Sequence, residues 1–329
     1  MAPTITTIPA VTLQQITPSI ADNVTLGNAT FAFLRQKGRM KLEPGADYLQ
    51  EPIQWAENAT AQSYTGYGAL DNTPQDELTA ATYNWKQYSA AATMSGLERL
   101  RNANEHGVIK VWAAKLAMAE EGLISLLDRH VHASSATKTA DDILGLDEFI
   151  ENEVSPNDTV GGIARASEAW WRNKYKAGTV ATITQDCRSA IRLASEGRER
   201  PDFGICSTEP FEAIINQNAG KQRLINQAMM DLSYDNVVID GVTLMWNRNC
   251  LGNGITTPSA TGDGTSWVIY FGNSKFLRLR IHQDRNFSAR GSGEGEQPIA
   301  QDAYVSYILF AGAMTLSNSR FQCALEIIG

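Results

Sequence analysis

The succession of patterns along the chain predicts an α+β fold with long extended elements and no βαβ rhythm. Three observations carry that expectation. Residues 95–130 hold one amphipathic pattern long enough for a strut-like helix. Residues 48–90 hold two alternating, strand-like stretches around a turn-rich tip. The C-terminal third strings strand-like runs together across glycine-rich breaks.

The first residues, MAPTITTIPAVTLQQITPSIADN, are rich in Pro, Thr and Ser and read as an extended or mobile arm. They carry neither a basic n-region nor an apolar h-region, so they do not read as a signal peptide, and synthesis in the cytosol is expected. In GNATFAFLRQK, Phe31, Phe33 and Leu34 sit among polar neighbours, which predicts a short helix or turn ending near Gly38. After LEPGAD, the stretch YLQEPIQWAENATAQSY alternates Ile53 and Trp55 with polar residues, and LTAATYNWKQYSA does the same with Tyr83 and Trp85. Gly66, Gly68, Asn72 and Pro74 supply turn residues between them. Pro52 suits only an edge strand. A two-stranded hairpin buries too little to stand alone in water, so this one must lie on the rest of the chain or on a neighbour.

Ser95 and Glu98 form a capping-box pattern at the head of the helical stretch. Leu97, Leu100, Val108, Val111, Trp112, Leu116, Leu123 and Leu127 then recur at three- and four-residue spacing. NANEHG is its weak point, where the helix kinks or restarts. From Gly107 to His130 it would run about 35 Å at ~1.5 Å per residue. A loop-rich segment follows, with a short helix around DDILGLDEFIE. TITQDCRSAIRLASEGRER predicts an amphipathic helix with Ile191 and Leu193 inward, stopped by Pro201. PFEAIINQNAGKQRLINQ predicts a helix pair or a broken helix, and NVVIDGVTLMWNRN a hairpin across Asp240-Gly241. NGITTPSATGDGTS is a loop. WVIYFGNSKFLRLRIH and AYVSYILFAGAMTLSN are strands divided by SARGSGEGEQP.

Composition narrows the function classes. With 43% hydrophobic and 19% charged residues over 329, the chain fits an ordered globular protein. No apolar run is long enough for a membrane-spanning helix. Cys187, Cys206, Cys250 and Cys323 are scattered without a CxxC pair, which reads as buried reduced thiols, not a disulfide framework or zinc site. A net charge of −8 without a long basic run argues against a tight grip on nucleic-acid backbones.

No constellation for chemistry emerges. His130 and His132 end a helix, where i and i+2 diverge, and no third ligand is nearby, so they read as exposed helix-end histidines. GSGEGE lacks the Gly-Lys-Ser/Thr ending of a phosphate loop, and its glutamates would repel phosphate. There is no G-x-S-x-G elbow. Asp141-Asp142 and Glu120-Glu121 read as solvated surface. No catalytic residue, cofactor or metal site is expected.

One stretch stands apart. TVGGIARASEAWWRNKY (159–175) opens on Gly161 and Gly162, continues through Arg165, and sets Trp170 and Trp171 side by side against Arg172. Adjacent residues of an extended backbone point to opposite sides, so the two rings cannot share a face. Either the segment is sandwiched between layers, or one ring packs inside while the other meets a partner. The glycines permit close backbone approach or positive φ.

These segments together resemble the major capsid proteins of tailed bacteriophages, with the Hong Kong 97-like fold. FLRQKGRMKLEPGADYLQEPIQWAEN is similar to the family's N-terminal arm leading into its extended loop. YTGYGALDNTPQDELTAATYNWKQYSAAATMSGLERLRN resembles the loop tip, return strand and start of the spine helix. TVGGIARASEAWWRN resembles a signature of one branch, and ILFAGAMTLSNSRFQ its closing strand. The likeness spans roughly residues 24–325. Ala164 stands where an acidic residue is common, so a salt bridge found there in relatives is not expected here.

The resemblance implies a non-catalytic shell protein enclosing the DNA of a tailed phage without binding it tightly. An encapsulin-like nanocompartment shell is the alternative, and a cytosolic enzyme a more distant one. The implied parts are an N-terminal arm (1–46), an extended hairpin loop (47–94), the spine helix of a peripheral domain (95–132), an axial domain (133–275) and the peripheral domain's return strands (276–329). Expected partners are further copies of the chain in hexamers and pentamers, a portal protein and a decoration protein. A separate scaffolding protein is also expected, because little chain precedes residue 24. Subunit-interface candidates are Trp55, Tyr64, Tyr67 and Trp85 on the hairpin. Gly161, Gly162, Arg165, Trp170, Trp171 and Arg172 are the candidates in the later stretch. Some relatives weld subunits through a loop-tip lysine. Residues 62–78 contain none, the nearest being Lys41 and Lys86, so a shell without covalent cross-links is expected.

Overall fold

The computed structural model describes residues 28–101, 105–154, 156, 158–218, 230, 235–250, 266–290 and 302–328. The expected arm before residue 28, the loop NGITTPSATGDG, the glycine-rich GSGEGE and most of the segment after Gln217 lie outside these residues.

Helix α1 (Ala29–Gln36) precedes strands β1 (Met40–Glu43), β2 (Leu49–Gln54), β3 (Leu78–Tyr83) and β4 (Lys86–Ser95). Helices α2 (Gly96–Arg101), α3 (Glu105–His132) and α4 (Leu146–Phe149) follow, then the short strands β5 (Thr159–Val160) and β6 (Ile163–Ala164). The chain continues through β7 (Lys174–Thr179), α5 (Ile183–Leu193), β8 (Phe203–Cys206), α6 (Thr208–Gln217), β9 (Asn236–Ile239) and β10 (Val242–Trp246). It ends with β11 (Ser266–Gly272), β12 (Leu277–His282), β13 (Ser288–Arg290), β14 (Ala303–Leu316) and β15 (Cys323–Ile328).

Two sheets organise these elements. The first is built on β14, which pairs antiparallel with β12, β13 and β4, the last along the whole of β4 from Ala303 opposite Ser95 to Gly312 opposite Lys86. Strand β1 joins the outside of β12 in parallel. The spine helix α3 packs against β4, burying Trp112, Leu116, Leu123 and Leu127 on one stripe. The second sheet runs β7-β15-β11-β8-β10-β9. Helices α5 and α6 bury Ile183, Cys187, Ile191, Phe211 and Ile214 with residues of that sheet in a second core.

Local chemistry explains most boundaries. The Asn28 side chain accepts from Phe31 N at 3.0 Å and starts α1, whose residues 29–34 are all buried, and Gly38 at φ 67° follows its end. Ser95 Oγ accepts from Glu98 N at 3.1 Å, half of the expected capping box. The other half is not made, because the Glu98 carboxylate pairs with Lys115 at 2.7 Å and so ties the head of α2 to α3. The Asp240-Gly241 hairpin forms as expected, with φ of 49° and 83° at its two turn residues. All four cysteines are free and buried.

Five expectations are corrected. Leu193 is 46% exposed, because α5 ends there and the chain turns away through Gly197 (φ 60°), well before Pro201. The run WVIYFGNSKFLRLRIH is two strands in different sheets, broken where Phe276 N bonds back to Asn273 O. The return strands after residue 276 do not all stay with the first sheet. β15 crosses back to lie between β7 and β11, completing a second sheet whose buried face needs it. Nor are the histidines exposed. His132 is fully buried, bonded to Thr30 at 2.7 Å and 3.2 Å from Asp128, while His130 meets Tyr88 at 3.0 Å and Asp142 at 3.1 Å. The end of α3 is roofed by α1 and the 134–145 loop, so they work as internal struts. Glu120 is buried rather than solvated, and Asp142 is held by Thr139. Among the described residues no group of three metal-ligating side chains exists.

Candidate assembly site: the foot and tip of the extended hairpin

Among the described residues strands β2 and β3 pair only with each other, from Leu49 opposite Tyr83 to Gln54 opposite Leu78. Pro52 is tolerated because β2 has a free edge. Beyond this ladder, residues 56–77 form neither helix nor strand. The chain thus builds a hairpin with a fixed foot and an open tip.

The foot is held from two sides. On one, Glu51 is 2% exposed and accepts from Arg280 (2.6 and 3.0 Å), Arg278 (3.0 Å) and Thr315 (2.9 Å). A carboxylate this buried is tolerable only with such a full set of donors. It bolts β2 to β12 and β14. Sequence reading missed Glu51, whose partners lie more than two hundred residues away.

On the other side sits the stretch with the paired tryptophans. Gly161 and Gly162, at φ 62° and 77°, make a two-residue turn between β5 and β6. That turn lies directly on β3: Thr82 N donates to Gly161 O at 2.9 Å, and a Cβ on Gly161 would fall 2.8 Å from Ala81 Cβ and 2.9 Å from the Tyr83 hydroxyl oxygen. Glycine is required here both for positive φ and for close approach. Tyr83 in turn donates to Leu316 O at 2.7 Å, and burial pushes its phenol well above its ordinary pKa.

Behind the turn, Arg165 has no exposed surface and uses all five of its donors. They reach Phe149 O (2.6 Å), Asp158 Oδ1 (3.0 Å), Ser319 Oγ (3.1 Å), Glu148 O (3.2 Å) and Trp171 O (3.3 Å). Its main-chain oxygen accepts from Arg172 Nε at 2.7 Å. The Glu151 Oε2 atom is buried without a hydrogen-bond donor, 3.8 Å from Arg165. Burial, reinforced by the neighbouring Asp158 carboxyl, raises Glu151 to about 8.

The two tryptophans separate, though not by an extended backbone. They lie in a single tight turn, Ala169–Trp171. Trp171 is fully buried, and its indole donates to Val160 O at 3.0 Å. Trp170 is half-buried, 5.6 Å from Trp171 and 6.2 Å from Trp55 at the end of β2. One ring is core, and the other is a step between core and hairpin.

The interface candidates therefore divide. Arg165 and Trp171 are sealed inside the chain, Gly161 lies against β3, and Arg172 holds the backbone of Arg165 and Ala166. Trp85 donates to Ala46 O at 2.8 Å and packs on His282, so it serves this chain's own first sheet. Gly162 and Trp170 reach the surface beside the hairpin. Trp55 (42%), Tyr64 (63%) and Tyr67 (109%) are exposed. Lys86 is engaged at the foot with Ala140 O, far along the chain from the lysine-free tip.

No protein-family model and no curated protein matches the sequence. Solved structures do. The chain is similar to the cyanophage A-1(L) capsid asymmetric unit, at 13% identity and a TM-score of 0.60, over 88% of this chain and 90% of that one. It is similar to the capsid of an empty GTA particle, at 11% identity and a TM-score of 0.58, over 90% and 96%. The capsid of Myoviridae phage XM1 matches at 12% identity and a TM-score of 0.51, over 89% and 91%. The likeness extends over about nine-tenths of each chain, and so the chain has the Hong Kong 97-like fold of tailed-phage capsid subunits.

Proposed function

We propose that the protein is a major capsid protein, a non-catalytic subunit that assembles into the head shell around the DNA of a tailed bacteriophage. The observation that carries this reading is the hairpin. Its foot is fastened by buried groups, while residues 56–77 offer exposed Tyr64, Tyr67 and Leu70 that no described residue covers. Aromatic side chains with one apolar body and one polar end are well suited to a contact with another molecule. In this reading the partners are other copies in hexamers and pentamers. A scaffolding protein, a portal and a decoration protein join them, and the virion is the final location.

The test is to express the chain and size the product by light scattering and cryo-electron microscopy. Particles tens of nanometres across, containing nuclease-protected DNA when made during infection, are expected. Particles filled with a cargo protein instead would point to a nanocompartment shell. A monomer or small oligomer under every assembly condition would overturn the shell reading.

A further inference from the structure

We propose that Glu151 and Asp158 form a proton-operated latch beneath the hairpin: one proton shared between their carboxyls keeps the Gly161-Gly162 turn seated on β3, and its loss loosens the foot. The device belongs to the folded subunit and stands or falls separately from the shell reading.

Two carboxyls here compete for one cation. Asp158 Oδ1 lies 3.0 Å from Arg165 Nη1, and Glu151 Oε2 lies 3.8 Å from the same atom. Asp158 takes the hydrogen bond, and the other donors of Arg165 are committed to Phe149 O, Glu148 O, Trp171 O and Ser319 Oγ. Among the described residues no donor reaches Glu151 Oε2, which is a buried atom. Glu153, on the same segment as Glu151, adds further repulsion. The nearby Glu148 carboxylate pairs with Lys138 at 2.6 Å, and Asn173 and Ser319 are neutral. With both acids ionised, two negative charges would face one positive charge partly out of water. A single proton between the two carboxyls removes the excess charge and supplies the missing donor. Burial and the Asp158 carboxyl accordingly raise Glu151 to about 8, against the pull of Arg165.

The two acids sit on backbone of unequal freedom. Glu151 is pinned twice by Asn173, its N donating to Oδ1 at 3.1 Å and its O accepting from Nδ2 at 2.8 Å. Asp158 instead leads straight into β5, and β5 and β6 are only two residues long each. Asp158 O accepts from Arg165 N at 2.8 Å, which closes this small loop. The loop then carries the hairpin, since Gly161 O accepts from Thr82 N at 2.9 Å. Repulsion between ionised Glu151 and Asp158 therefore acts on the segment that is free to shift, and the bond at risk is the one between the turn and β3. The proton is held in the seated state and released in the loosened one. The seat is thus firm in mild acid and weakens as pH rises towards about 8.

The test follows hydrogen exchange of the Thr82 amide in the full-length, unassembled subunit between about pH 5 and about pH 8. At each pH the rate is divided by that of the β4 amides, so that the intrinsic pH dependence of exchange cancels. In the parent this ratio should rise with pH by a factor approaching about ten per unit, the limit for release of one proton. Glu151→Gln should hold the ratio flat, because the amide supplies a donor and cannot ionise. Asp158→Asn, which removes the second charge while still accepting from Arg165, should do the same. A flat ratio in the parent overturns the latch whatever the variants do, so the result does not depend on either variant folding. Equal acceleration of β4 with Thr82 would mean that the whole chain unfolds together, and would overturn it too. So would a pH dependence that survives in Glu151→Gln. Failure of the parent to form particles would leave all these readings unchanged and bear on the shell reading alone.

Discussion

The foot and the tip of the hairpin use the same kinds of residue to opposite ends. At the foot, Tyr83, Trp171, Gly161 and Arg165 are packed until no polar atom of the arginine lacks a partner. At the tip, Tyr64 and Tyr67, Gly66 and Gly68, and three exposed carboxylates face outward, held only by short local bonds such as Gly68 N to Thr65 O at 3.0 Å. A rigid foot sets the direction in which an uncommitted tip is presented. Because no residue of 56–77 belongs to the buried core, the tip is free to be shaped by a contact it does not make alone.

That contrast can be broken from the foot outward. Arg165→Met should have the largest effect, about 3–5 kcal/mol, since it strands Asp158 and several buried carbonyls. Urea unfolding of the subunit checks it, and a loss under 1 kcal/mol would mean the arginine is not the fastener described. Gly161→Ala should cost less, about 1–3 kcal/mol, through positive φ and the contact with Ala81 and Tyr83. The same change at Gly66, also at positive φ but with open space around it, should cost less still.

A pH test sharpens the comparison. Glu151 is raised from its ordinary 4.5 to about 8 by burial and by Asp158 and Glu153, against the opposing pull of Arg165. Between those values the folded chain holds a proton that the unfolded chain has released, so this contribution is complete below pH 4.5 and is lost as pH rises towards about 8. Glu151→Gln should flatten the fall in subunit stability across that window. An unchanged slope would rule Glu151 out as its source.

Smaller effects belong to the tip. Deleting residues 64–76 should change subunit unfolding by no more than about 0.5 kcal/mol, the usual scale for surface changes, yet prevent stable shells. A deletion chain that assembles with unchanged thermal stability would remove the tip from assembly. Smallest of all is an expected absence. Boiled in denaturing detergent, mature particles should run as one band near 36.0 kDa, because residues 62–78 offer no lysine and Lys86 is occupied at the foot. A ladder that survives reduction would show a covalent link.

How much of this could be read from the chain depended on range. The alternation around Ile53 and Tyr83, the Asp240-Gly241 turn and the stripe from Trp112 to Leu127 are local patterns, and each became the element it suggested. The glycine pair was legible as a site of close approach, but its target on β3 was not. The division between Trp170 and Trp171 was foreseen from the wrong geometry, because a tight turn, not a strand, sets it. Glu51 gave no signal, since its meaning lies in Arg278, Arg280 and Thr315. His130 and His132 misled for the same reason: spacing on a helix says which way a side chain leaves, and not what covers it. The last strand was assigned with residues 276–329 to the peripheral domain by resemblance, and nothing local to Cys323–Ile328 says that its partners are β7 and β11.

The path of that last strand carries a mechanical consequence. Backbone passes from the second sheet to the first at residues 273–276 and returns at 317–322, and the two crossings touch. Ser317 N bonds to Phe276 O at 2.9 Å, Gln322 accepts from Asn273 N at 2.8 Å, and Phe276 stacks on Phe321 at 4.9 Å with planes 12° apart. Two crossings laid side by side form a ribbon between the sheets, and the buried core continues past it, with Phe33 of α1 5.3 Å from Phe203 of β8 and Asn247 donating to Asp128 at 3.0 Å. A load on one sheet is therefore carried to the other by covalent backbone and packed side chains together, and the two sheets answer it as one body.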